Sequence, residues 1–150
     1  MMKGQMVPGH PFYLVFVMRE RLRLLLTQDP SLRMRLQIEY ARERLEAAAI
    51  LLQGGEASLA ITTLSKAEAY LGSASNEFTH TSTVGNRSET DLQSLVDAME
   101  LHLKYMASIK ESLLDEDKSR LDGIQEYTKS MRGILEEFFH TTFVKQSSNS

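Results

Sequence analysis

Two Glu-x-x-His pairs, Glu77 with His80 and Glu137 with His140, come nearest in this chain to a constellation that does chemistry. On two helices of a bundle such pairs turn a carboxylate and an imidazole onto one face, and one further Glu from each of two other helices completes a di-metal site. Glu39 or Glu43, and Glu100, stand in the required order along the chain. Chance alone gives roughly 0.4 such pairs at this composition, so two are a mild excess. Axial position argues against assembly. If the chain folds back about Gly54 and Gly55, Glu77 comes level with Leu32 and Arg33 while Glu39 comes level with Tyr70. At about 1.5 Å per residue that separates the carboxylates by about 10 Å along the axis. Both histidines also fall near helix ends, where an imidazole suits the C-terminal dipole.

Met99, His102 and Met106 share one helical face, and two thioethers with an imidazole suit Cu(I). Methionines at helical spacing are more often core filler, and a His on such a stripe is expected at its edge with a backbone or water partner. A metal-binding bundle, by the Met/His cluster or the Glu-x-x-His pairs, is therefore the alternative reading, and no metal ligand or cofactor is assigned. For hydrolysis there is no nucleophile elbow, no His-Glu-x-x-His helix and no paired acids in a foreseeable cleft. Glycines 54, 55, 72, 85, 123 and 133 never make a phosphate loop. No catalytic residue is assigned, and the chain is expected not to be an enzyme.

The elements that would carry these side chains are helices throughout. Pro11 suits a first turn, and apolar residues recur at Phe12, Val15, Phe16, Met18, Leu22 and Leu25, so a first helix is expected to end near Leu26 with this stripe in the core. Asp29 before Pro30 caps a second helix with the stripe Met34, Ile38, Ala41, Leu45, Ala48 and Leu52, stopped by Gly54 and Gly55. So short a stop folds the third helix back antiparallel, with Ala57, Ala60, Leu64, Ala67, Leu71, Ala74 and Phe78 inward. A Ser/Thr/Asn/Gly-rich stretch gives an exposed loop at about 79–90. Ser88 with Asp91 opens a fourth helix whose stripe is Leu92, Leu95, Met99, His102, Met106, Ile109 and Leu113. Asp115, Glu116 and Asp117 favour the start of a fifth, which buries Leu121, Ile124, Tyr127, Met131, Ile134, Leu135, Phe138 and Phe139. The fold class is all-α, an antiparallel bundle of about five helices in one domain over 1–150, with flexible ends at 1–9 and 141–150.

The 150 residues suffice for one core, and 42% hydrophobic with 25% charged residues is globular composition. No cysteine is present, which excludes a disulfide scaffold and thiol chemistry and suits the cytosol or an exported domain alike. The longest apolar run, Phe12 to Met18, is far short of the about 20 residues of a spanning helix, and no membrane insertion by this segment is expected. A surface-lying helix is conceivable there, but Phe12, Tyr13, Phe16 and Leu22 read better as core contacts. Residues 1–50 hold eight Lys or Arg against five Asp or Glu, a charge of +3 that leaves −6 to the remainder of a chain whose net is −3. Helix faces of mixed charge are commonly just solvated, and a pI near 5.8 without a clustered basic surface argues against nucleic acid.

Pro11 with Tyr13, Glu20 to Leu26, Asp29 with Pro30, and the Tyr40 to Leu45 segment together resemble an uncharacterised bacterial domain-of-unknown-function family. Its members open on Pro-x-Tyr, continue into an Arg-rich first helix and follow a short Asp-containing break with a Glu-Arg-Leu-bearing second helix. The resemblance covers about a third of the chain, and it implies a helical domain outside the cytoplasm on a protein with a single membrane anchor, with no assigned activity. Where that family tends to have Pro-Leu-Lys after the Tyr, this chain has Leu14, Val15 and Phe16.

A non-catalytic helical structural or protein-interaction module is the function these readings favour, extracytoplasmic if the resemblance holds and cytoplasmic otherwise. Its partner would be a protein or a second copy. The apolar surplus on the first helix, Phe12, Tyr13, Phe16 and Val17, is the expected partner surface.

Overall fold

Pro30 has no amide hydrogen to lose at a helix start, and Asp29 before it supplies the missing acceptor: its Oδ1 accepts from the Ser31 amide at 3.1 Å. In the computed structural model, which describes residues 13–81 and 89–141, this junction separates α1 (Tyr13–Leu26) from α2 (Pro30–Gln53). Next come α3 (Ala57–Thr81), α4 (Glu89–Ile109), a 3-10 turn (Lys110–Ser112) and α5 (Asp115–Phe139). Among the described residues there is no strand. The expected features on 1–12, Ser88 and the rest of 82–88, and 142–150 lie outside the described residues.

The α2–α3 reversal needs one residue that L side chains disfavour. Gly55 takes φ 83°, the Glu56 amide donates to Leu51 O at 2.9 Å and the Gly55 amide to Leu52 O at 3.1 Å, which closes the end of α2 as a Schellman motif. The resulting hairpin is the most extensive helix pair among the described residues, and α5 packs on both α3 and α4. A second glycine serves packing. A Cβ on Gly72, in the interior of α3, would run into the Tyr127 hydroxyl of α5 and lie 3.3 Å from Met131 Sδ.

The interior divides along the bundle axis into two apolar clusters. One gathers Leu45, Leu51, Ile61, Leu64, Met106, Ile109 and Leu121 at the end holding the α2–α3 turn. The other gathers Met34, Leu71, Phe78, Leu92, Met99, Met131 and Leu135 at the opposite end. Between them each helix of α2–α5 places a polar side chain in the interior: Arg44, Glu68, His102, and Gln125 with Thr128. Glu68 Oε1 and His102 Nδ1 are 2.6 Å apart, and Thr128 Oγ1 donates to Glu68 Oε2 at 2.9 Å. Both carboxylate oxygens are thereby satisfied, the condition under which a buried charge is tolerated.

The stripes expected for α2, α3 and α4 are the ones that line this core, with Ile38, Leu52 and Ala57 half-buried. Three expectations change. His102 is not at a stripe edge: it is 1% exposed, with a carboxylate partner. On α5, Ile134 is exposed and Tyr127 is half exposed with its hydroxyl against Gly72, because Gln125 and Thr128 turn into the polar layer instead. On α1, Val15, Met18, Leu22 and Leu25 are exposed rather than buried, because the opposite face of the helix carries Glu20 into contact with Arg44 and Tyr70.

Candidate functional site

α1 is attached to the bundle by polar contacts. Glu20, its single acid, is 3% exposed, and its Oε2 accepts from Arg44 Nη2 at 2.7 Å and from the Tyr70 hydroxyl at 2.9 Å. The Arg44 guanidinium also lies 5.5 Å from the Phe16 ring centroid and 5.8 Å from that of Tyr70, within cation–π range. At the C-terminal end of α1, Arg33 Nη1 donates to the orphan carbonyl of Leu24 at 2.6 Å, while its Nε donates to Glu77 Oε1 at 2.6 Å. Glu20 and Arg33 thus anchor the helix at its middle and at its end.

Burial pushes the Glu20 carboxyl above its ordinary value despite the opposing Arg44 charge. Glu43 is raised too, by burial first and then by the neighbouring Glu20 and Glu39 charges. Glu20 Oε1 and Glu43 Oε2 are buried without a hydrogen-bond partner, which is consistent with carboxyls that hold a proton more readily than exposed ones do. Tyr70 is pushed up by burial and by the adjacent Glu20 carboxylate, so its hydroxyl keeps its hydrogen and donates.

With its polar side turned inward, α1 presents Leu14, Val15, Met18, Leu22, Leu25 and Leu26 outward, each between 56% and 75% exposed. At 100° per residue these six occupy an arc of about 120°, the width of stripe that a globular helix ordinarily buries. Of the residues expected to form a partner surface, Phe16 and Val17 are half-buried on the inner side. Phe12 and the Tyr13 side chain lie outside the described residues. The exposed surplus is on the same helix, on the face away from Phe16.

The possible metal ligands stay apart. Glu77 is paired with Arg33, level with it as the fold-back geometry requires, and His80 Nδ1 is 3.1 Å from Asn76 O. Glu137 and His140 are exposed near the end of α5. Among the described residues no group of three or more His, Asp or Glu side chains converges. Met99, His102 and Met106 are all buried, and His102 Nδ1 is taken by Glu68.

The Glu68, His102 and Thr128 cluster contains the residue types of a hydrolytic triad in an order that does not work. Activation of a hydroxyl requires the imidazole between nucleophile and carboxylate. Here the carboxylate is in the middle, the Thr128 hydroxyl donates to it, and all three side chains are at most 1% exposed. An open depression of about 380 Å³ lined by Arg33, Gln37, Ser73, Asn76, Glu77 and His80 lies over the α2–α3 seam. Its cation, Arg33, is committed to Glu77 and to the end of α1.

Sequence reasoning missed Glu20, Arg44, Tyr70 and Glu68. Two of them left a trace: Glu68 falls on the inward stripe between Leu64 and Leu71, and Glu20 sits diametrically opposite Met18 and Leu22 on a helix otherwise charged only by Arg19, Arg21 and Arg23.

No helix among the described residues is long and apolar enough to cross a membrane. No curated protein and no solved structure matches the chain. A family model does, over residues 5–126, a range that takes in α1 through α4 and the first half of α5. The chain belongs to the family described as domain of unknown function DUF5667.

Proposed function

We propose that this domain is a non-catalytic interaction module that engages its partner through the outer face of α1, and that it serves as the extracytoplasmic part of a bacterial envelope protein. The observation that carries the first half is the six-residue apolar stripe turned to solvent while the same helix spends its inner face on a buried ion pair. A contiguous apolar face of this kind is costly to leave in water and marks a contact surface. The remaining polar interior supports a structural role, since its carboxylate, imidazole and hydroxyl satisfy one another. The extracytoplasmic placement is supported only by the family resemblance of the α1–α2 segment.

In-cell photo-crosslinking tests this directly. A photoreactive residue at Leu22 or Leu25 is expected to give an adduct, to a protein or to membrane lipid, and one at exposed Ser119 on α5 none of either kind. Equal adducts from both helices, or none from α1, would remove the proposal.

A further inference from the structure

We propose that the surface covering the outer face of α1 is an anionic lipid leaflet, on which the helix lies in plane. This rests on the reading of α1 as the contact element and names what it contacts. On a helical wheel, Arg19 and Arg21 fall just beyond the two edges of the Leu14 to Leu26 stripe, and Arg23 lies beyond Arg19. All three are exposed. The one acid of the helix, Glu20, points the opposite way and is answered by Arg44, so every charge that α1 shows to solvent is positive. An apolar ridge rimmed by arginines is the pattern of an interfacial helix, whose aliphatic side chains enter the acyl boundary while the guanidinium groups remain at the phosphates.

A second copy fits this face poorly. An antiparallel α1 pair centred between Met18 and Leu22 sets Arg19 against Arg19 of the other copy on one side and Arg21 against Arg21 on the other, and α1 has no exposed acid to answer them. A protein groove with an acidic rim satisfies the charges, but the ridge lacks the exposed aromatic anchors that dominate such interfaces: among the described side chains its members are Leu, Val and Met alone. Non-directional apolar area with peripheral cations is what a fluid leaflet recognises. At about 1.5 Å per residue the 14-residue helix is about 21 Å long, and its slight attachment to the other helices leaves the ridge standing clear of them. The excess negative charge of residues 51–150 keeps α3, α4 and α5 off the same surface, which favours α1 as the side that faces it.

The test is cosedimentation of the full chain with phosphatidylcholine vesicles, with and without about 30% phosphatidylglycerol. Binding is expected to the anionic vesicles, to fall with added salt, to be lost on Met18→Glu with Leu22→Glu, and to weaken about 30-fold on Arg19→Gln with Arg21→Gln. All four positions are exposed, so the helical circular-dichroism spectrum and thermal midpoint should stay put. Absence of binding to anionic vesicles, or binding that ignores these substitutions, overturns the lipid assignment. A dimer in light scattering that dissociates on Met18→Glu with Leu22→Glu would identify a second copy instead. A protein adduct from Leu22 in a chain that ignores vesicles would identify a protein groove, sinking the lipid assignment while the interaction reading stands.

Discussion

α1 and α4 carry apolar stripes of similar regularity, yet they face in opposite directions. α4 turns Leu92, Leu95, Met99, Met106 and Ile109 inward and shows solvent its polar face. α1 turns Glu20 inward and shows solvent Leu14, Met18, Leu22 and Leu25. Each buries one ionisable group at mid-helix, His102 in α4 and Glu20 in α1, and each group finds its partner on the α2–α3 hairpin, Glu68 or Arg44. The difference lies in what surrounds the pair. His102 sits between two apolar clusters, so its bond to Glu68 is enclosed by packing that holds α4 independently. Glu20 belongs to neither cluster, and its bonds to Arg44 and Tyr70, with Arg33 at the end of the helix, are what attach α1. A stripe on a helix therefore declares which face avoids water, and only the partner of the opposite face decides whether the stripe reaches the core.

The largest effect expected from breaking this contrast is at His102. Replacing it with Leu leaves the Glu68 carboxylate in the core with Thr128 alone, and urea denaturation should show a loss of about 4 kcal/mol. Replacing both, Glu68→Met with His102→Leu, removes the stranded charge, and most of the stability should return. If single and double variants are equally unstable, the pair is not coupled and the polar layer has been misread.

Slightly smaller is the effect of trimming the two stripes themselves. Met99 is fully buried and Met18 is 70% exposed, so Met99→Ala should cost about 3 kcal/mol and Met18→Ala less than about 0.5 kcal/mol. Similar losses at the two positions would mean that the α1 stripe is covered within the monomer.

Arg44→Met separates attachment from folding. The buried Glu20 carboxylate would keep only the Tyr70 hydroxyl, and the cheapest relief is for α1 to lift away, which caps the cost at about 2 kcal/mol. Hydrogen exchange should then quicken roughly 30-fold in the α1 amides and little in those of α4. Uniform acceleration across both helices would show that α1 and the bundle unfold as one unit.

Much of this architecture is written in the residues. Asp29 with Pro30, the glycine pair at 54 and 55, and the acids at 115 to 117 mark boundaries through local chemistry, since a cap, a left-handed turn and a dipole each need only near neighbours. The stripes of α3 and α4 follow because their apolar faces outnumber every alternative way to bury them. What local pattern could not give is the pairing of Glu20 with Arg44, 24 residues apart, or of Glu68 with His102, 34 apart. Both depend on axial level and rotation after the helices pack. The sequence accordingly puts the candidate surface at Phe12, Tyr13, Phe16 and Val17, whereas the apolar stripe that stands exposed on α1 is on the face away from Phe16, because an unpaired reading sends any apolar stripe inward and leaves a single Glu to solvent.

The smallest expected effect is a slope with pH. Glu20 and Glu43 are both held above their ordinary value of 4.5, so between that value and the raised one the folded chain binds more protons than the unfolded chain. Stability then falls as pH rises through this window and is fully present below it. This is the reverse of a carboxylate stabilised by its ion pair, because burial of Glu20 costs more than Arg44 returns. Glu20→Gln removes the titrating group while retaining an acceptor for Arg44 and Tyr70, and should flatten part of the decline. Thermal melts of the parent and of Glu20→Gln, across this window and below it, decide the matter. A parent profile that instead rises with pH below 4.5 and levels off above it would mean that the Arg44 charge dominates at Glu20, making the α1 attachment a net stabilising ion pair like any favourable buried bridge. Its outward stripe would then reflect the strength of that bridge, and the helix would have no tendency to lift.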